Sequence, residues 1–182
     1  MVLAAGAGRR FGGTKQLADL DGRPLLQHAL DAANAEPALD RVVLVLGHEA
    51  ERICAAVDLG RAEVTLAPGW NEGQAASLRA GVQASRDAEA IVVLLGDQPH
   101  AVPGAVDRVL AARGEHPAVR ARYGGKPGHP VVLERALFGD LLRLRGDQGA
   151  RDLLAQHAVT EVEMDAEQDD VDTPEQLERM RR

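Results

Sequence analysis

The start of the chain carries a glycine-rich loop with three cationic side chains. Glycines stand at positions 6, 8, 12 and 13, and Arg9, Arg10 and Lys15 lie among or just after them. Because glycine has no Cβ, its backbone N–H groups approach an anion closely, and nearby cations neutralise the anion's charge. The loop follows a short apolar run, residues 1–3, which is typical of the end of a buried strand. This combination predicts a phosphate-binding loop.

The spacing within this loop distinguishes it from two well-known phosphate-binding loops. In a Walker loop a lysine follows the last glycine directly and a Ser or Thr follows the lysine, whereas here Thr14 precedes Lys15. A dinucleotide-binding fingerprint reads G-x-G-x-x-G and needs a carboxylate after the second strand. In this loop the third glycine comes one residue too late for that pattern. The second apolar run is followed by Gly47 and His48 and not by a carboxylate. For the glycines alone, an ordinary strand-to-helix turn is the alternative, and the three cations argue against it.

Asp97 is a candidate metal ligand because it closes an apolar run, residues 91–95, after a single glycine. A carboxylate at the end of a strand suits Mg²⁺, a hard cation that takes oxygen ligands and often bridges to substrate phosphates. The alternative is an Asp that caps the following turn, which stabilises by about 1 kcal/mol. Since a phosphate loop is expected at the same edge of the sheet, we favour the metal role.

A second acidic segment, with Asp169, Asp170 and Asp172, directly precedes Thr173 and Pro174. A Thr followed by a Pro is typical of a helix start, so capping explains one of these polar residues. Three carboxylates within four residues repel one another unless water or a cation neutralises them. A helix cap with a solvated acidic face and a metal-binding segment are therefore both open interpretations.

Composition limits the class of protein. At 182 residues, with 45% hydrophobic and 2% aromatic residues, the chain is expected to form one domain, residues 1–182, with a core of Leu, Val and Ala. The formal net charge of −7 argues against non-specific nucleic-acid binding. We expect no membrane association and no signal peptide. The single cysteine, Cys54, excludes an internal disulfide, and a cytoplasmic location is expected.

Strand-like and helix-like stretches alternate along the chain, which predicts an α/β fold: a Rossmann-like three-layer sandwich with a mostly parallel sheet. The predicted strands are residues 1–3, 42–46, 64–66, 91–95, 119–121, 131–133 and 159–163. The predicted helices are residues 24–35, 50–57, 74–84, 103–113, 134–142, 149–156 and 174–180. From about residue 119 the strands follow one another closely, so we expect a mixed C-terminal part of the sheet.

Ligands of such sheets bind beyond the carboxyl ends of the strands, and the polar segments follow strands as this rule requires. The glycine loop follows the first strand, residues 67–81 follow the third, and residues 96–100 follow the fourth. Two further segments carry cations or donors: a loop with Lys126 and His129, and the start of a helix with Arg151, where an anion could bind. Taken alone, the loop at 123–130 is interpreted as a plain turn.

Six segments, in order along nearly the whole chain, resemble the molybdenum cofactor nucleotidyltransferase family, and most closely its molybdopterin cytidylyltransferase branch. The first is Leu-Ala-Ala-Gly at 3–6, which continues through Arg10 to Lys15 and Gln16. The others are Gly-Gln-Ala-Ala-Ser-Leu-Arg-Ala-Gly at 73–81, Gly-Asp-Gln-Pro at 96–99, Gly-His-Pro-Val at 128–131, Gly-Asp-Gln-Gly-Ala-Arg at 146–151 and Asp-Val-Asp-Thr-Pro-Glu at 170–175. Two departures are a first strand that begins at the chain's first residues and Ala75-Ala76 where relatives often carry hydroxyls. For the first, we expect either a misassigned start or an unusually short strand.

The resemblance implies a nucleotide-diphospho-sugar transferase-like fold and transfer of CMP from CTP to the phosphate of molybdopterin, with release of pyrophosphate and with Mg²⁺ as cofactor. It implies catalytic roles for Arg10, Lys15 and Asp97, and Mg²⁺ ligation by Asp97 and Asp172. The implied nucleotide-binding residues are Leu3, Ala4, Ala5, Gly6, Ala7, Gly8, Lys15, Gly73, Ser77 and Asp97. The implied acceptor-binding residues are Gln98, Lys126, His129 and Arg151. Implied partners are CTP and molybdopterin or molybdenum cofactor, with a molybdoenzyme or its chaperone as recipient.

The choice of base and acceptor is the least specific part of this interpretation. In the family, Leu-Ala-Ala-Gly tends to accompany CTP and Leu-Ala-Gly-Gly tends to accompany GTP, so Ala5 favours CTP; one methyl group discriminates by only about 1–3 kcal/mol. Alternatives are a related transferase that uses GTP or another acceptor, such as a sugar phosphate, methylerythritol phosphate or phospholactate. A non-catalytic nucleotide-binding regulatory module and a dinucleotide-dependent dehydrogenase are alternatives of other classes.

We further expect Lys15→Ala to change the free energy of unfolding by no more than about 0.5 kcal/mol, as for other surface substitutions.

Overall fold

A seven-stranded sheet forms the centre of the computed structural model, which describes residues 1–100, 102–168 and 170–181. The order of its strands is β5-β4-β1-β6-β8-β7-β9, and β2 and β3 form a separate hairpin. Only β8 runs antiparallel to its neighbours, β6 and β7, among the described strands of this sheet. The strands are β1 (Val2–Leu3), β2 (Asp19–Leu20), β3 (Arg23–Pro24), β4 (Val42–Leu46), β5 (Ala62–Leu66), β6 (Ala90–Leu95), β7 (Ala118–Tyr123), β8 (Lys126–Glu134) and β9 (Thr160–Met164).

Helices cover both faces of the sheet. They are α1 (Leu25–Ala35), α2 (Ala50–Ala56), α3 (Gln74–Ala84), α4 (Ala105–Ala111), α5 (Phe138–Leu141), α6 (Ala150–Leu154) and α7 (Pro174–Met180). Three short 3₁₀ turns accompany them, at Lys15–Leu17, Trp70–Glu72 and Arg135–Leu137. Within the described residues, none of the helices is both long and apolar enough to cross a membrane.

The unbroken apolar sequence of β4 reflects burial on both faces of the sheet. All five of its residues are buried. Val43 and Val45 pack into one apolar cluster with α3, whereas Leu44 and Leu46 pack into another with α1 and α2. A strand covered on one face only would alternate apolar and polar residues. The three-layer arrangement therefore explains why β4 shows no alternation.

The predicted α/β fold with a mostly parallel sheet and a mixed C-terminal part is confirmed, and α3 and α7 have the predicted bounds. The predicted helix over 134–142 is wrong at its start, because Glu134 still belongs to β8 and a 3₁₀ turn precedes α5. β8 also begins earlier than predicted, at Lys126. Proline normally marks a strand boundary because it lacks an N–H donor. Here Pro127 is paired with Arg122 beyond an irregularity in the ladder, so the prolines of this segment do not end the strand.

Candidate functional site

Three loops meet at one edge of the sheet because β1 lies between β4 and β6. The glycine loop follows β1, Gly47 and His48 follow β4, and Gly96 and Asp97 follow β6. The segment before α7 is attached to the same edge, since the Val171 N–H donates to the Asp97 carbonyl at 3.0 Å. This attachment brings the C-terminal acidic segment beside the glycine loop, so residues from both ends of the chain form one site.

The glycine loop closes on itself between residues 8 and 13. The N–H groups of Phe11 and Gly12 both donate to the Gly8 carbonyl, at 2.9 and 3.0 Å. Gly8 has a φ of +62°, and a Cβ there would lie 2.1 Å from the Gly13 carbonyl oxygen. Only glycine fits this position, because a side chain would clash with backbone that has no room to move.

Gln16 holds the start of this loop and was given no role from the sequence. It is buried, and its Nε2 donates to the Ala4 carbonyl at 2.8 Å and to the Gly6 carbonyl at 2.7 Å. Thr14 donates to the carboxylate of Glu49, which fixes the end of the loop against the start of α2. The Lys-Gln pair in the motif was the available signal for Gln16, but a sequence does not show that the amide turns inward.

Lys15 is bound by two carboxylates instead of lying free on the surface. Its Nζ lies 2.6 Å from Oδ2 of Asp97, 3.3 Å from Oδ1 of Asp172 and 2.9 Å from the Val171 carbonyl oxygen. Only 15% of its side chain is exposed. This burial argues against the small stability change expected for removal of Lys15, because its ammonium compensates two carboxylates that share one site.

The carboxylates of the acidic segment contact two different sets of partners. Asp172 also forms an ion pair with Arg10, at 3.0 Å, although Arg10 is 76% exposed. Asp170 instead accepts a hydrogen bond from the Gln98 amide at 2.5 Å, and partial desolvation together with the charges of Asp97 and Asp172 raises the pKa of its carboxyl. Asp169 lies outside the described residues. Asp172 is thus the carboxylate of this segment that meets Asp97 across the Lys15 ammonium.

The oxygen atoms around Lys15 fit a divalent cation. Oδ2 of Asp97 and Oδ1 of Asp172 converge on one ammonium, and Oδ1 of Asp97 is buried without a hydrogen-bond partner. Carboxylate oxygens are the ligands that Mg²⁺ takes, and it usually completes its coordination with water and substrate phosphates. Within the described ranges, no group of three or more His, Cys, Asp or Glu side chains is arranged to hold a metal ion. The two carboxylates would therefore supply part of the coordination of Mg²⁺, and water and a substrate phosphate would supply the rest.

The second predicted nucleotide-binding segment begins α3. Gly73 has a φ of +132°, and a Cβ there would lie 2.2 Å from the Gly146 carbonyl oxygen. The Ala75 N–H donates to the same oxygen at 3.1 Å. Ser77 is half-buried in the first turns of α3. The segment that leads into α6 and Arg151 therefore packs against the start of α3, at Gly73 and Gln74.

The four predicted acceptor-binding residues do not form one group. Gln98 and His129 line a cavity of about 230 Å³ between α1 and α4, together with Tyr123 and Gln168. Lys126 is exposed at the first position of β8, and Arg151 is exposed in α6. Neither of these two belongs to the cavity lining. The acceptor roles of all four residues stay predictions, and the structure brings two of them together.

His129 is neutral in this environment. Burial lowers the pKa of its imidazole to about 4, and the negative charge of Asp97 opposes this only in part. Its backbone is fixed by the Gln168 amide, which donates to the His129 carbonyl at 2.6 Å, and by the Tyr123 hydroxyl, which donates to the same oxygen at 2.6 Å. At neutral pH this side chain therefore offers hydrogen bonds without a charge.

We expect His129 to make the folded protein less stable as the pH falls from about 6.5 towards 4. Its imidazole has a pKa of 6.5 in the unfolded chain and of about 4 in the folded protein, so the unfolded chain binds the proton first in this window. The free energy of unfolding should fall by about 1–2 kcal/mol more between pH 7 and pH 5 in wild type than in His129→Gln. Urea titrations at both pH values measure this. Identical pH dependence in the two proteins would show that His129 is not desolvated.

Two aromatic side chains near Ala5 were given no role from the sequence. The rings of His48 and Trp70 have centroids 5.0 Å apart and planes inclined by 53°. The backbone N–H of His48 donates to the Ala5 carbonyl at 3.1 Å. Because the two residues follow different strands, no local pattern marks them as a pair.

Comparisons with known proteins point to one family. The profile of the MobA-like NTP transferase domain matches residues 1–162. Nicotine blue oxidoreductase of Paenarthrobacter nicotinovorans is 31% identical over 99% of this chain and 94% of its own length. The purine catabolism protein PucB of Bacillus subtilis is 32% identical over 100% of this chain and 95% of its own length.

Solved structures agree with this match. Rv0371c of Mycobacterium tuberculosis H37Rv has a TM-score of 0.86 and 34% identity, over 99% of this chain and 95% of that chain. A second structure of that protein, a complex with manganese, has a TM-score of 0.80 and 33% identity, over 98% of this chain and 95% of that chain. A protein of the same fold, at about one third identity, thus binds a divalent metal.

Proposed function

Because this chain belongs to the MobA-like NTP transferase family, we propose that it is a nucleotidyltransferase that transfers CMP from CTP to the phosphate of molybdopterin and releases pyrophosphate. The observation that carries this proposal is the meeting of Lys15, Arg10, Asp97 and Asp172 beside a closed glycine loop. Binding alone does not require two carboxylates from separate segments around one cation. A site that binds a triphosphate together with a metal ion does require such a pair of carboxylates.

In the proposed reaction an oxygen of the acceptor phosphate attacks the α-phosphorus of CTP, and the bond to the pyrophosphate leaving group breaks. No covalent intermediate on the protein is needed, so catalysis consists of positioning and of charge neutralisation. The amides of the glycine loop, Arg10 and Lys15 hold triphosphate oxygens. Asp97 and Asp172 hold a divalent cation, with Mg²⁺ as the proposed ion, and when bound it lowers the negative charge that repels the incoming phosphate.

The cavity between α1 and α4 supports an acceptor with a flat, uncharged part. Gln98 and the neutral His129 offer hydrogen bonds there, and alanines of α1 supply apolar contact. A pterin ring combines an apolar face with a hydrogen-bonding edge, which matches this lining. For Lys126 and Arg151, the acceptor-binding role rests on the sequence resemblance alone.

The preference for CTP rests on Ala5, whose methyl group is buried in the core. Ala5 is 3% exposed and packs into the apolar cluster on the α3 face, so its methyl group narrows the nucleotide site only indirectly. The experiment is a pyrophosphate-release assay with each of the four NTPs and molybdopterin, in wild type and in Ala5→Gly. We expect the highest kcat/KM with CTP, and only a modest gain with GTP in the variant. A wild-type preference for GTP would overturn the cytidylyl assignment and keep nucleotidyl transfer.

An oxidoreductase is the second candidate, because nicotine blue oxidoreductase is similar along almost the whole chain. The two candidates differ in their product. Transfer releases pyrophosphate from an NTP, whereas an oxidoreductase changes the absorbance of a reduced nicotinamide cofactor without releasing pyrophosphate. Running both assays on one preparation with the same acceptor panel decides between them.

A further inference from the structure

The His48–Trp70 pair lies at the carboxyl edge of the sheet without a role in the proposed reaction. His48 follows β4, and Trp70 begins the 3₁₀ turn Trp70–Glu72 that follows β5. Trp70 is half-buried: part of its ring packs against the apolar cluster on the α3 face, and part stays accessible. An aromatic ring that is partly accessible beside a predicted nucleotide loop offers a flat apolar surface to a ligand.

The pair is tied directly to the nucleotide loop through Gly47. A Cβ on Gly47 would lie 2.6 Å from Cβ and Cγ of Trp70 and 2.8 Å from the Ala5 carbonyl oxygen. The backbone of Gly47 therefore lies close to both Ala5 and Trp70, with no room for a side chain. The backbone N–H of His48 also donates to the Ala5 carbonyl, at 3.1 Å, so the backbone that carries both rings is held next to the loop.

The same aromatic turn leads into the second nucleotide-binding segment. The Trp70 N–H donates to the Ala67 carbonyl at 3.1 Å and the Glu72 N–H to the Gly69 carbonyl at 2.8 Å, so the turn is closed by its own backbone. Gly73 follows this turn immediately, and its backbone lies directly against the backbone of Gly146. Trp70 thus lies next to Ala5 through Gly47 and three residues before Gly73, and both Ala5 and Gly73 are predicted nucleotide-binding residues.

We propose that the His48–Trp70 pair forms an aromatic wall that contacts the nucleobase and sets the preference among bases. This inference rests on the proposed nucleotide-binding function. Every base has a flat π-face, and stacking on an aromatic side chain is a general means of holding it. Since the methyl group of Ala5 is buried in the core, the accessible rings are better placed to limit the size of the base than that methyl group.

Tryptophan fluorescence gives a direct test, because Trp70 is the only tryptophan in the chain. Wild type is titrated with CTP and with inorganic triphosphate in the presence of Mg²⁺, and calorimetry measures both affinities independently. We expect CTP to change the emission of Trp70. Inorganic triphosphate, which has no base, should bind and leave the emission nearly unchanged.

Substitutions separate contact with the base from support of the fold. We expect Trp70→Leu to weaken CTP binding about tenfold or more, as for the loss of one base–aromatic contact, and to leave binding of inorganic triphosphate unchanged. Trp70→Phe should retain most of the affinity, and both variants should raise GTP use relative to CTP. His48→Ala should weaken CTP binding, whereas His116→Ala should not, because His116 precedes β7 at the opposite edge of the sheet.

Two results would overturn the inference, and they are distinguishable. If CTP binds wild type while the emission stays constant, Trp70→Phe keeps the wild-type base preference, and His48→Ala keeps both the wild-type affinity and the wild-type base preference, the aromatic wall is wrong and the proposed function stands. If wild type binds no NTP and no inorganic triphosphate, the proposed function fails and the wall fails with it. Should Trp70→Leu not fold, the wild-type titration and the other two variants still decide the question.

Discussion

Replacing Asp97 with Asn is expected to lower the rate of nucleotidyl transfer at least about 100-fold while the fold stays intact, since stabilisation of transition-state charge is lost. Asp97 supplies one oxygen to Lys15 at 2.6 Å and keeps a second, buried oxygen without a partner. Asn has nearly the same shape but provides only one oxygen and no charge, so it ligates a divalent cation poorly.

The Asp97→Asn experiment measures kcat and KM against metal concentration, with thermal unfolding as the check on folding. Asp87→Asn is the matched control, because Asp87 is 73% exposed and pairs with Arg41 away from the glycine loop. We expect the control to keep wild-type kinetics. Near wild-type turnover of Asp97→Asn at saturating Mg²⁺ would show that Asp97 does not hold the metal.

Replacing Lys15 with Met is expected to lower kcat/KM for CTP by about 100-fold, through the loss of a charged contact to the triphosphate. It should also lower the free energy of unfolding by about 1–3 kcal/mol, because Asp97, Asp172 and the Val171 carbonyl lose their shared donor. The effect on stability follows from the structure and reverses the expectation from sequence.

The stability of Lys15→Met should recover when a divalent cation is added without nucleotide. The ammonium and the metal would bind the same two carboxylates, so removal of the ammonium frees the site for the ion. Thermal unfolding with and without Mn²⁺ measures this, and we expect a larger rise in Tm for the variant than for wild type. Lys126→Met is the control for stability, since Lys126 is exposed. An equal rise in Tm for wild type and Lys15→Met would contradict a shared site.

Much of the fold could be predicted because its signals are local. The apolar run of β4 shows burial on both faces, and Thr173 followed by Pro174 marks the start of α7, where the Thr173 side chain accepts from the Gln176 N–H. The prediction failed where local signals conflict with tertiary packing. Residues 123–130 were interpreted as a turn, yet β8 begins at Lys126 and includes Pro127 and Pro130, although proline lacks the N–H donor for pairing with β7.

The sequence by itself determined the residue types of the site and the edge of the sheet on which they lie. Glycines mark a tight loop because of their φ freedom, and Asp97 follows a recognisable buried strand, so both features are written into short stretches of chain. These signals require no knowledge of which strands are neighbours.

Only the tertiary structure decided how these residues are combined. Lys15 and Asp172 meet across 157 positions of sequence, because β1 lies beside β6 and the segment before α7 pairs with Asp97. The same long-range packing desolvates the imidazole of His129 and lowers its pKa, and it brings the rings of His48 and Trp70 together from two different strands. Partners, burial and charge state depend on the order of strands in the sheet, and that order is set by contacts between distant segments, which spacing along the chain does not encode.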